Sequence, residues 1–244
     1  MLNVLAAGSL RRVWTPLMMK FQAETGMAVE THFGPAGLLR QRIEAGESCD
    51  LFASASANHP AILAEAGLAS GCIPFATNCL CLTVARRVTV AGDDWLSLLS
   101  NPQLRLATST PGCDPSGDYA WQLFDNLERY QPGLGESLKN RALCLVGGVN
   151  SVAIPPGEMA ASWLIRSEQA EMFLGYASYA SSLRQHTDML VCDIPAEMNV
   201  VADYVSAICS EMGTALGAFL RTPTATYILK EYGFGVGLSS GSDG

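Results

Sequence analysis

The sequence predicts an α/β fold in which a parallel sheet is flanked by helices. The first 70 residues alternate short apolar runs with longer segments in which apolar residues recur every three or four positions. The connections between these segments are short and rich in glycine. Hydrophobic residues make up 49% of the 244 residues and charged residues only 16%, which is enough apolar material for a globular core.

The first strand and helix occupy the N-terminus. An apolar run over residues 2–7 predicts a buried strand, and Ser9 can cap the helix that follows. Pro16 lies inside that helix, where a proline costs about 3 kcal/mol, so we expect a kink or two helical pieces. Gly26 ends the pattern. The apolar side chains form one stripe, made of Leu10, Val13, Leu17, Met18 and Phe21.

The next two units repeat this order. Alternating apolar residues predict a second strand near residues 29–33, and the turn at 34–37 leads into a second helix. A third strand and a third helix are predicted at residues 50–55 and 59–66.

The rest of the chain is less regular. Residues 86–101 are mixed, and residues 129–158 are predicted to be largely irregular because they contain Gly-Gly and Pro-Pro-Gly. The last residues, 238–244, predict a disordered tail. Further strands are predicted at 79–84, 104–108, 172–176, 189–194 and 204–208. Helices are predicted at 118–128, at 159–167 and in the tail between Pro223 and Gly233.

Composition excludes several classes of protein. A net charge of −8 argues against nucleic-acid binding, which needs clustered Lys and Arg. No window approaches 18 apolar residues, so no membrane-spanning helix is expected. The N-terminus lacks the basic and apolar regions of a signal peptide, so we expect a cytoplasmic protein or a mature form whose signal was removed.

Cysteines are frequent, but they form no CxxC motif and no His lies at metal-site spacing. We therefore interpret them as small buried apolar residues and expect no metal site. They are Cys49, Cys72, Cys79, Cys81, Cys113, Cys144, Cys192 and Cys209.

Three junctions before predicted helices are candidate anion-binding loops. They are residues 7–9, 34–37 and 114–117, all rich in small residues that let a ligand approach the backbone. Helix N-termini at the carboxyl ends of strands present N–H groups and a positive dipole end, so an acidic chain can still bind an anion. Each junction alone is also compatible with an ordinary turn or cap. Nucleotide binding is poorly supported, because GxGxxG spacing is missing at 34–37 and GxxxxGK[ST] does not occur.

Taken in order, these motifs resemble the molybdate- and tungstate-binding proteins of bacterial ABC importers, in the type II periplasmic-binding-protein superfamily. The resemblance runs from Leu2 to about Phe234. Its strongest segments are residues 5–10, 33–46, 50–55, 114–120 and 229–234.

The resemblance implies an α/β fold of two lobes, with mixed sheets flanked by helices and a ligand cleft between the lobes. Lobe I is expected to contain residues 1–78 and 199–244, and lobe II residues 79–198. Two hinge crossovers are expected near residues 78 and 199, and trapping a ligand would require the lobes to close by a hinge motion.

The resemblance also assigns ligand-binding positions in lobe I. Ser9, with Gly8 before it, matches the serine that gives a hydroxyl and a backbone N–H to the oxyanion. The family's second serine falls at Ala36 here, so one side-chain donor is lost. The N–H groups of Ala36 and Gly37 remain as donors.

In lobe II, Ser116 matches a backbone N–H donor and Tyr176 matches a tyrosine hydroxyl donor. A further backbone donor is expected near Asn150. Asp114 matches a carboxylate that binds the metal directly in archaeal relatives, but the second such carboxylate falls at Gly175. We therefore expect Asp114 to cap a helix, and the anion to remain tetrahedral.

Neutral donors select for fully ionised anions, because a protonated oxyanion would present an O–H that finds no acceptor. Each charge-assisted hydrogen bond is worth about 1.5–3 kcal/mol. The resemblance thus implies a periplasmic, monomeric substrate-binding protein for molybdate or tungstate that serves a membrane permease. It implies no cofactor and no nucleic-acid partner.

Two alternatives remain open. The first is a cytoplasmic anion-sensing module on the same fold. The second is an enzyme, but its acid–base and nucleophile candidates lie on different elements without motif spacing, so we expect no catalytic activity. Those candidates are Glu158, His32, His59, His186 and Cys113.

Overall fold

The computed structural model of this chain describes residues 1–236. Its contacts divide the chain into two compact units. The first contains Met1–Asn78 and the C-terminal segment that begins at Ala202, and the second contains Cys79–Val201. The tail predicted to be disordered, 238–244, lies outside the described residues.

Strands and helices follow the sequence in alternation. The strands are β1 (Leu2–Ala7), β2 (Val29–Gly34), β3 (Leu51–Ser54), β4 (Gly71–Asn78), β5 (Leu80–Ala85), β6 (Leu106–Ser109), β7 (Leu143–Val146), β8 (Met172–Tyr176), β9 (Met189–Asp193) and β10 (Ala202–Ile208). The helices are α1 (Arg11–Thr25), α2 (Ala36–Glu44), α3 (Asn58–Glu65), α4 (Trp95–Ser100), α5 (Pro115–Tyr130), α6 (Leu134–Arg141), α7 (Ala160–Arg166), α8 (Ala180–Leu183), α9 (Thr214–Phe219) and α10 (Pro223–Glu231).

The first unit contains one mixed sheet, in the order β2-β1-β3-β10-β4. β1 is parallel to β2 and to β3, whereas β10 is antiparallel to β3 and β4. The carboxyl ends of β1, β2 and β3 therefore meet at one edge of the sheet. The α/β class predicted from the alternation of strands and helices is confirmed, with the sheet mixed as the resemblance implied.

The second unit has its own mixed sheet, in the order β7-β6-β8-β5-β9. β6 is parallel to β7 and β8, and β5 is antiparallel to β8 and β9. β5 is buried along its whole length, and apolar residues of α7 and β8 contribute to the core beside it. The carboxyl ends of β6, β7 and β8 meet at one edge of this sheet. No helix within residues 1–236 is long and apolar enough to cross a membrane.

Helix α1 continues through Pro16, so it is not divided there into two helical pieces. A short 3₁₀ turn at Gly8–Leu10 precedes the helix instead. Trp14 is a buried member of the apolar stripe of α1, for which Met18 was expected instead. The indole N–H of Trp14 donates to the Thr31 hydroxyl at 2.9 Å.

Elements that the sequence patterns missed include β4, α4, α6, β7 and α8. β4 contains Pro74, which is unusual in a strand. This proline lies where the register with β10 shifts, between Tyr204 and Val205. α6 contains Gly135, at which a Cβ atom would lie 2.1 Å from the carbonyl oxygen of Phe124 on α5. The glycine therefore permits a close approach of two helices that a hydrophobicity pattern does not reveal.

Candidate anion-binding loops

In the first unit, the loops after β1 and β2 begin side by side, because Ala7 pairs with Gly34 at the ends of these parallel strands. The 3₁₀ turn Gly8–Leu10 follows β1, and α2 begins at Ala36. No side chain caps the N-terminus of either element. The backbone N–H groups at a helix start lack intrahelical acceptors, so this edge offers donors suited to an anion.

The turn after β2 is shorter than predicted. Ala36 and Gly37 lie in the first turn of α2 and are buried, and the N–H of Leu39 donates to the carbonyl of Pro35 at 2.9 Å. Gly34 is in close contact with this helix, since a Cβ there would lie 3.1 Å from Cδ2 of Leu39. The N–H groups of Ala36 and Gly37 thus occupy the first-turn positions that have no preceding helical carbonyl.

Ser9 belongs to a polar chain that the sequence patterns did not predict. Its hydroxyl lies 2.8 Å from the hydroxyl of Tyr204 on β10, and Nδ2 of Asn78 donates to the same tyrosine oxygen at 3.5 Å. Tyr204 is fully buried and packs edge-on against Phe75 and Phe234. A buried tyrosine usually needs a hydrogen-bond partner, so Tyr204 within a predicted strand was the sequence signal for this polar chain.

A third loop at the same edge follows β3. The Ser54 hydroxyl donates to the carbonyl of Ser56 at 2.7 Å and accepts from the Ser56 N–H at 3.0 Å. Ser54 is completely buried, so these bonds hold the turn after β3 in place. The sequence alone predicts only that this serine belongs to a strand.

In the second unit, the predicted donor Ser116 lies in the first turn of α5, which begins at Pro115 and not at Asp118 as expected. Asp114 caps this helix, as the sequence analysis expected. Its Oδ1 accepts the Ser116 N–H at 3.3 Å, and its carbonyl accepts the Gly117 N–H at 2.9 Å. The Ser116 N–H therefore has a long hydrogen bond to a carboxylate at the position where the resemblance expects an anion.

Asp114 is held in a tight pocket. Burial raises the pKa of Asp114 to about 6, although hydrogen bonds from the Ser109 side chain and the Ser116 N–H act in the opposite direction. Gly147 contacts it closely: a Cβ at Gly147 would lie 2.6 Å from Oδ2 of Asp114. Gly147 also has a φ of +75°, which favours glycine.

The loop after β7 is attached to the loop that leads into α5. Thr110 donates to the Val146 carbonyl through its N–H at 2.9 Å and through its hydroxyl at 2.8 Å. The Gly148 N–H donates to the Ser151 hydroxyl at 2.6 Å. The predicted donor Asn150 is exposed in this loop. Gly147 and Gly148, in contrast, lie against Asp114 and Thr110, next to the start of α5.

Tyr176 is the last residue of β8 and is 7% exposed. β8 runs parallel to β6, with Ala107 opposite Phe173, so Tyr176 ends its strand at the edge where the loop after β6 begins. The second unit therefore brings Ser116 and Tyr176 to one sheet edge, and the first unit brings Ser9, Ala36 and Gly37 to another.

The loops at these edges contain no Lys or Arg; they are residues 7–10, 34–37, 54–56, 110–117 and 146–151. The basic residue nearest to Ser9 in sequence is Arg11, whose guanidinium lies 4.6 Å from the centre of the Phe33 ring. Within residues 1–236, no cluster of three His, Cys, Asp or Glu side chains could hold a metal ion. The hydrogen-bond donors that these loops contain are thus neutral, mainly backbone N–H and hydroxyl groups.

Known proteins of similar sequence cover almost the whole chain. The chain is 44% identical over 235 residues to an uncharacterized protein of Pasteurella multocida (strain Pm70), covering 96% of this chain and 98% of that protein. It is 26% identical over 249 residues to the molybdate-binding protein ModA of Escherichia coli (strain K12), covering 96% and 88%.

Solved structures confirm the type II periplasmic-binding-protein fold. The periplasmic molybdate-binding protein of Azotobacter vinelandii matches with a TM-score of 0.77 at 22% identity, covering 98% of this chain and 100% of that one. The sulfate-binding protein SubI of Mycobacterium tuberculosis H37Rv matches with a TM-score of 0.74 at 18% identity, covering 96% and 85%. The sequence profile of one family matches residues 2–235, and the chain therefore belongs to the bacterial extracellular solute-binding proteins.

Proposed function

We propose that this chain is the substrate-binding protein of an ABC importer and that it captures a tetrahedral oxyanion, molybdate or tungstate. The supporting observation is chemical. The loops at the carboxyl edges of both sheets offer backbone N–H and hydroxyl groups without a single Lys or Arg. Such donors suit a ligand that is already fully ionised at neutral pH.

The first unit would bind the anion through the Ser9 hydroxyl and the N–H groups of Gly8, Ala36 and Gly37. Ala36 supplies only its N–H, where the resemblance leads one to expect a serine. Each charge-assisted bond contributes about 1.5–3 kcal/mol. A few such bonds suffice for tight binding even after one hydroxyl is lost.

The second unit would contribute the Ser116 N–H, the Tyr176 hydroxyl and a backbone donor from the loop that contains Asn150. Ser116 has an existing bond of 3.3 Å to Asp114, and the anion would have to compete with it. The pKa of Asp114, raised to about 6, favours this exchange, because a dianion that approaches can drive this carboxyl group to its neutral form more easily than an ordinary aspartate.

We also propose a cellular compartment and a partner for this chain. The family is described as extracellular, and we place this chain in the periplasm as a monomer that delivers its ligand to a membrane permease. It needs no cofactor and catalyses no reaction. The family and the similar proteins with known ligands are binding proteins, which supports that reading.

A calorimetric titration tests the ligand. Molybdate, tungstate, sulfate, phosphate and a small carboxylate are added separately to the purified chain, and the fluorescence of its four tryptophans is recorded in parallel. We expect one site that prefers molybdate and tungstate, with sulfate weaker because its shorter bonds leave longer contacts. Absence of heat with both metal oxyanions, or tighter binding of sulfate or phosphate, would overturn the proposal.

A further inference from the structure

Two cysteines from distant parts of the sequence lie close together in the first unit. Cys49 precedes β3 by two positions, and Cys209 directly follows β10. β3 and β10 are antiparallel neighbours with Leu51 opposite Ile208. The register therefore places both cysteines at the same end of this strand pair.

The hydrogen bonds of Asp50 join the two segments that contain the cysteines. The Asp50 carbonyl accepts the N–H groups of Cys209 at 3.0 Å and Ser210 at 3.2 Å, and its carboxylate accepts the Ser210 hydroxyl at 2.5 Å. The side chains of Asp50 and Ser210 thus share one face. The N–H of Cys209 is thus bonded to the residue that directly follows Cys49, which brings the two cysteines close together. Their two thiols hydrogen-bond to each other.

We infer that Cys49 and Cys209 are a redox site, at which a disulfide forms by exchange with a small-molecule disulfide. Both thiols are half-buried, so a small oxidant can reach them. The inference does not depend on which ligand the protein binds.

The hydrogen bond assigns a role to each sulfur. The Cys49 thiol donates to the Cys209 sulfur, which lowers the pKa of Cys209 and raises the pKa of Cys49. Since the thiolate is the nucleophile, Cys209 reacts first. Once the Cys209 sulfur is part of a mixed disulfide, it is a weaker acceptor for the Cys49 thiol, so Cys49 can lose its proton more easily.

The exchange balances with oxidised glutathione as the oxidant. The Cys209 thiolate attacks one glutathione sulfur, a protein–glutathione disulfide forms, and one glutathione thiolate leaves. Cys49 then loses its proton to solvent and attacks the Cys209 sulfur, so that the second glutathione thiolate leaves. Two protein thiols are oxidised to one disulfide, and one glutathione disulfide is reduced to two thiols.

The competing partner for Cys209 is Cys72 on β4. It lies opposite Ala207 in the register with β10 and is exposed. Cys72 interacts with Cys209 through electrostatics alone, whereas the thiol of Cys49 is hydrogen-bonded to Cys209. We therefore expect the link between Cys49 and Cys209 to form in preference to the alternative.

The bond would fasten the segment before β3 to the end of β10. It would also close a chain loop that contains the whole second unit, Cys79–Val201. A disulfide that closes a long loop restricts the unfolded chain and raises stability. Extracellular compartments are oxidising, and the family description places such proteins there.

Peptide mapping tests the pairing on the unmodified full chain. The protein is equilibrated with mixtures of oxidised and reduced glutathione, alkylated, and cleaved after glutamate. Cleavage separates the partners: peptide 48–65 contains only Cys49, peptide 198–211 contains only Cys209, and peptide 66–128 contains Cys72 together with Cys79, Cys81 and Cys113. We expect 48–65 joined to 198–211. A join between 198–211 and 66–128, or two unlinked peptides under oxidising conditions, would overturn the inference.

Thermal unfolding then tests the consequence. Oxidised wild-type protein should melt about 5 °C above the reduced form. Cys209→Ser should abolish this difference, and Cys144→Ser, which alters an exposed cysteine of the second unit, should keep it. A redox-dependent shift that survives Cys209→Ser would show that another pair is responsible.

Discussion

The hydroxyl groups of Ser9 and Tyr204 lie 2.8 Å apart, although 195 positions separate them in the sequence. The amide nitrogen of Asn78 donates to the same tyrosine oxygen at 3.5 Å, and this leaves the tyrosine hydrogen available for Ser9. With its oxygen accepting from Asn78, Tyr204 can give its own hydrogen to Ser9. Ser9 then accepts from Tyr204 and directs its hydrogen elsewhere, which is the orientation that donation to an anion requires.

Tyr204→Phe should therefore weaken oxyanion binding although we do not expect the tyrosine to touch the ligand. Without the hydroxyl, Ser9 loses the donor that orients it. We expect the dissociation constant to rise about fivefold, equivalent to about 1 kcal/mol. Calorimetric titration with molybdate measures it, and Tyr227→Phe, at an exposed tyrosine of the same unit, is the matched control.

A double-mutant cycle separates this positioning role from a general loss of stability. If Tyr204 acts through Ser9, the change Tyr204→Phe should have no further effect on affinity in a Ser9→Ala background. Equal losses in both backgrounds would show that the tyrosine acts by another route.

Ser9→Ala removes a proposed direct donor to the anion and should have a larger effect on binding than Tyr204→Phe. Loss of one charge-assisted hydrogen bond should cost about 1–3 kcal/mol of binding free energy. Ser137→Ala is the control, because Ser137 is exposed on α6. Wild-type affinity in the Ser9→Ala variant would remove Ser9 from the site.

Tyr176→Phe tests the donor proposed for the second unit. The exchange removes one hydroxyl from a side chain that is 7% exposed and keeps the ring, so packing is preserved. We expect a loss in affinity of about 1–3 kcal/mol. Tyr130→Phe alters a tyrosine that is 65% exposed in the same unit and should bind as wild type. Similar dissociation constants for the two variants would show that the Tyr176 hydroxyl does not contact the anion.

Local patterns predicted the strands with continuous or alternating apolar residues and most of the longer helices. β1 and β8 have the predicted bounds, and Pro223 begins α10 as expected. Elements stabilised by tertiary contact were not recognisable in this way. β4 tolerates Pro74 because of a register shift with β10, and α6 depends on Gly135 meeting α5. Neither cause has a local sequence signature.

The loops of the candidate site could be predicted from the sequence, but the hydrogen bonds that connect their residues could not. Residues 34–37 and 114–117 could be selected because small residues before a helix favour anion binding. The bond between Ser9 and Tyr204 depends on pairing strands that lie far apart in sequence, which residue spacing cannot supply. Asp114 was expected to cap a helix, but Ser116 was not recognised as its partner, since α5 starts three residues earlier than predicted.

Gly147→Ala should destabilise the second unit through Asp114. The added methyl group would lie 2.6 Å from the carboxylate, at a backbone φ of +75°. Gly133→Ala is a matched control, because Gly133 has a φ of +87° with nothing within 4 Å of the new Cβ. The control should lose about 1 kcal/mol of stability from backbone strain alone. The Gly147 variant should lose more in urea unfolding, and equal losses would show that the contact with Asp114 relaxes freely.

The raised pKa of Asp114 makes the stability of the protein depend on pH. Burial moves this pKa from 3.8 to about 6, so the folded state holds the proton more tightly than the unfolded chain does. The stabilisation from this group is complete below about pH 4 and is lost as pH rises through about 6. The full loss has an upper limit of about 3 kcal/mol, since part of the side chain still contacts water.

Asp114→Asn should remove this pH dependence, because the amide is neutral throughout and its oxygen can still accept the Ser116 N–H. The free energy of unfolding, measured in urea between about pH 4 and pH 7.5, should favour the variant increasingly over wild type as pH rises. Taking the difference cancels the carboxylates with lowered pKa values, such as Glu171, which act in the opposite direction. Asp203→Asn, at an exposed position, should follow the wild-type profile. Parallel profiles for wild type and Asp114→Asn would show that Asp114 does not titrate in this range.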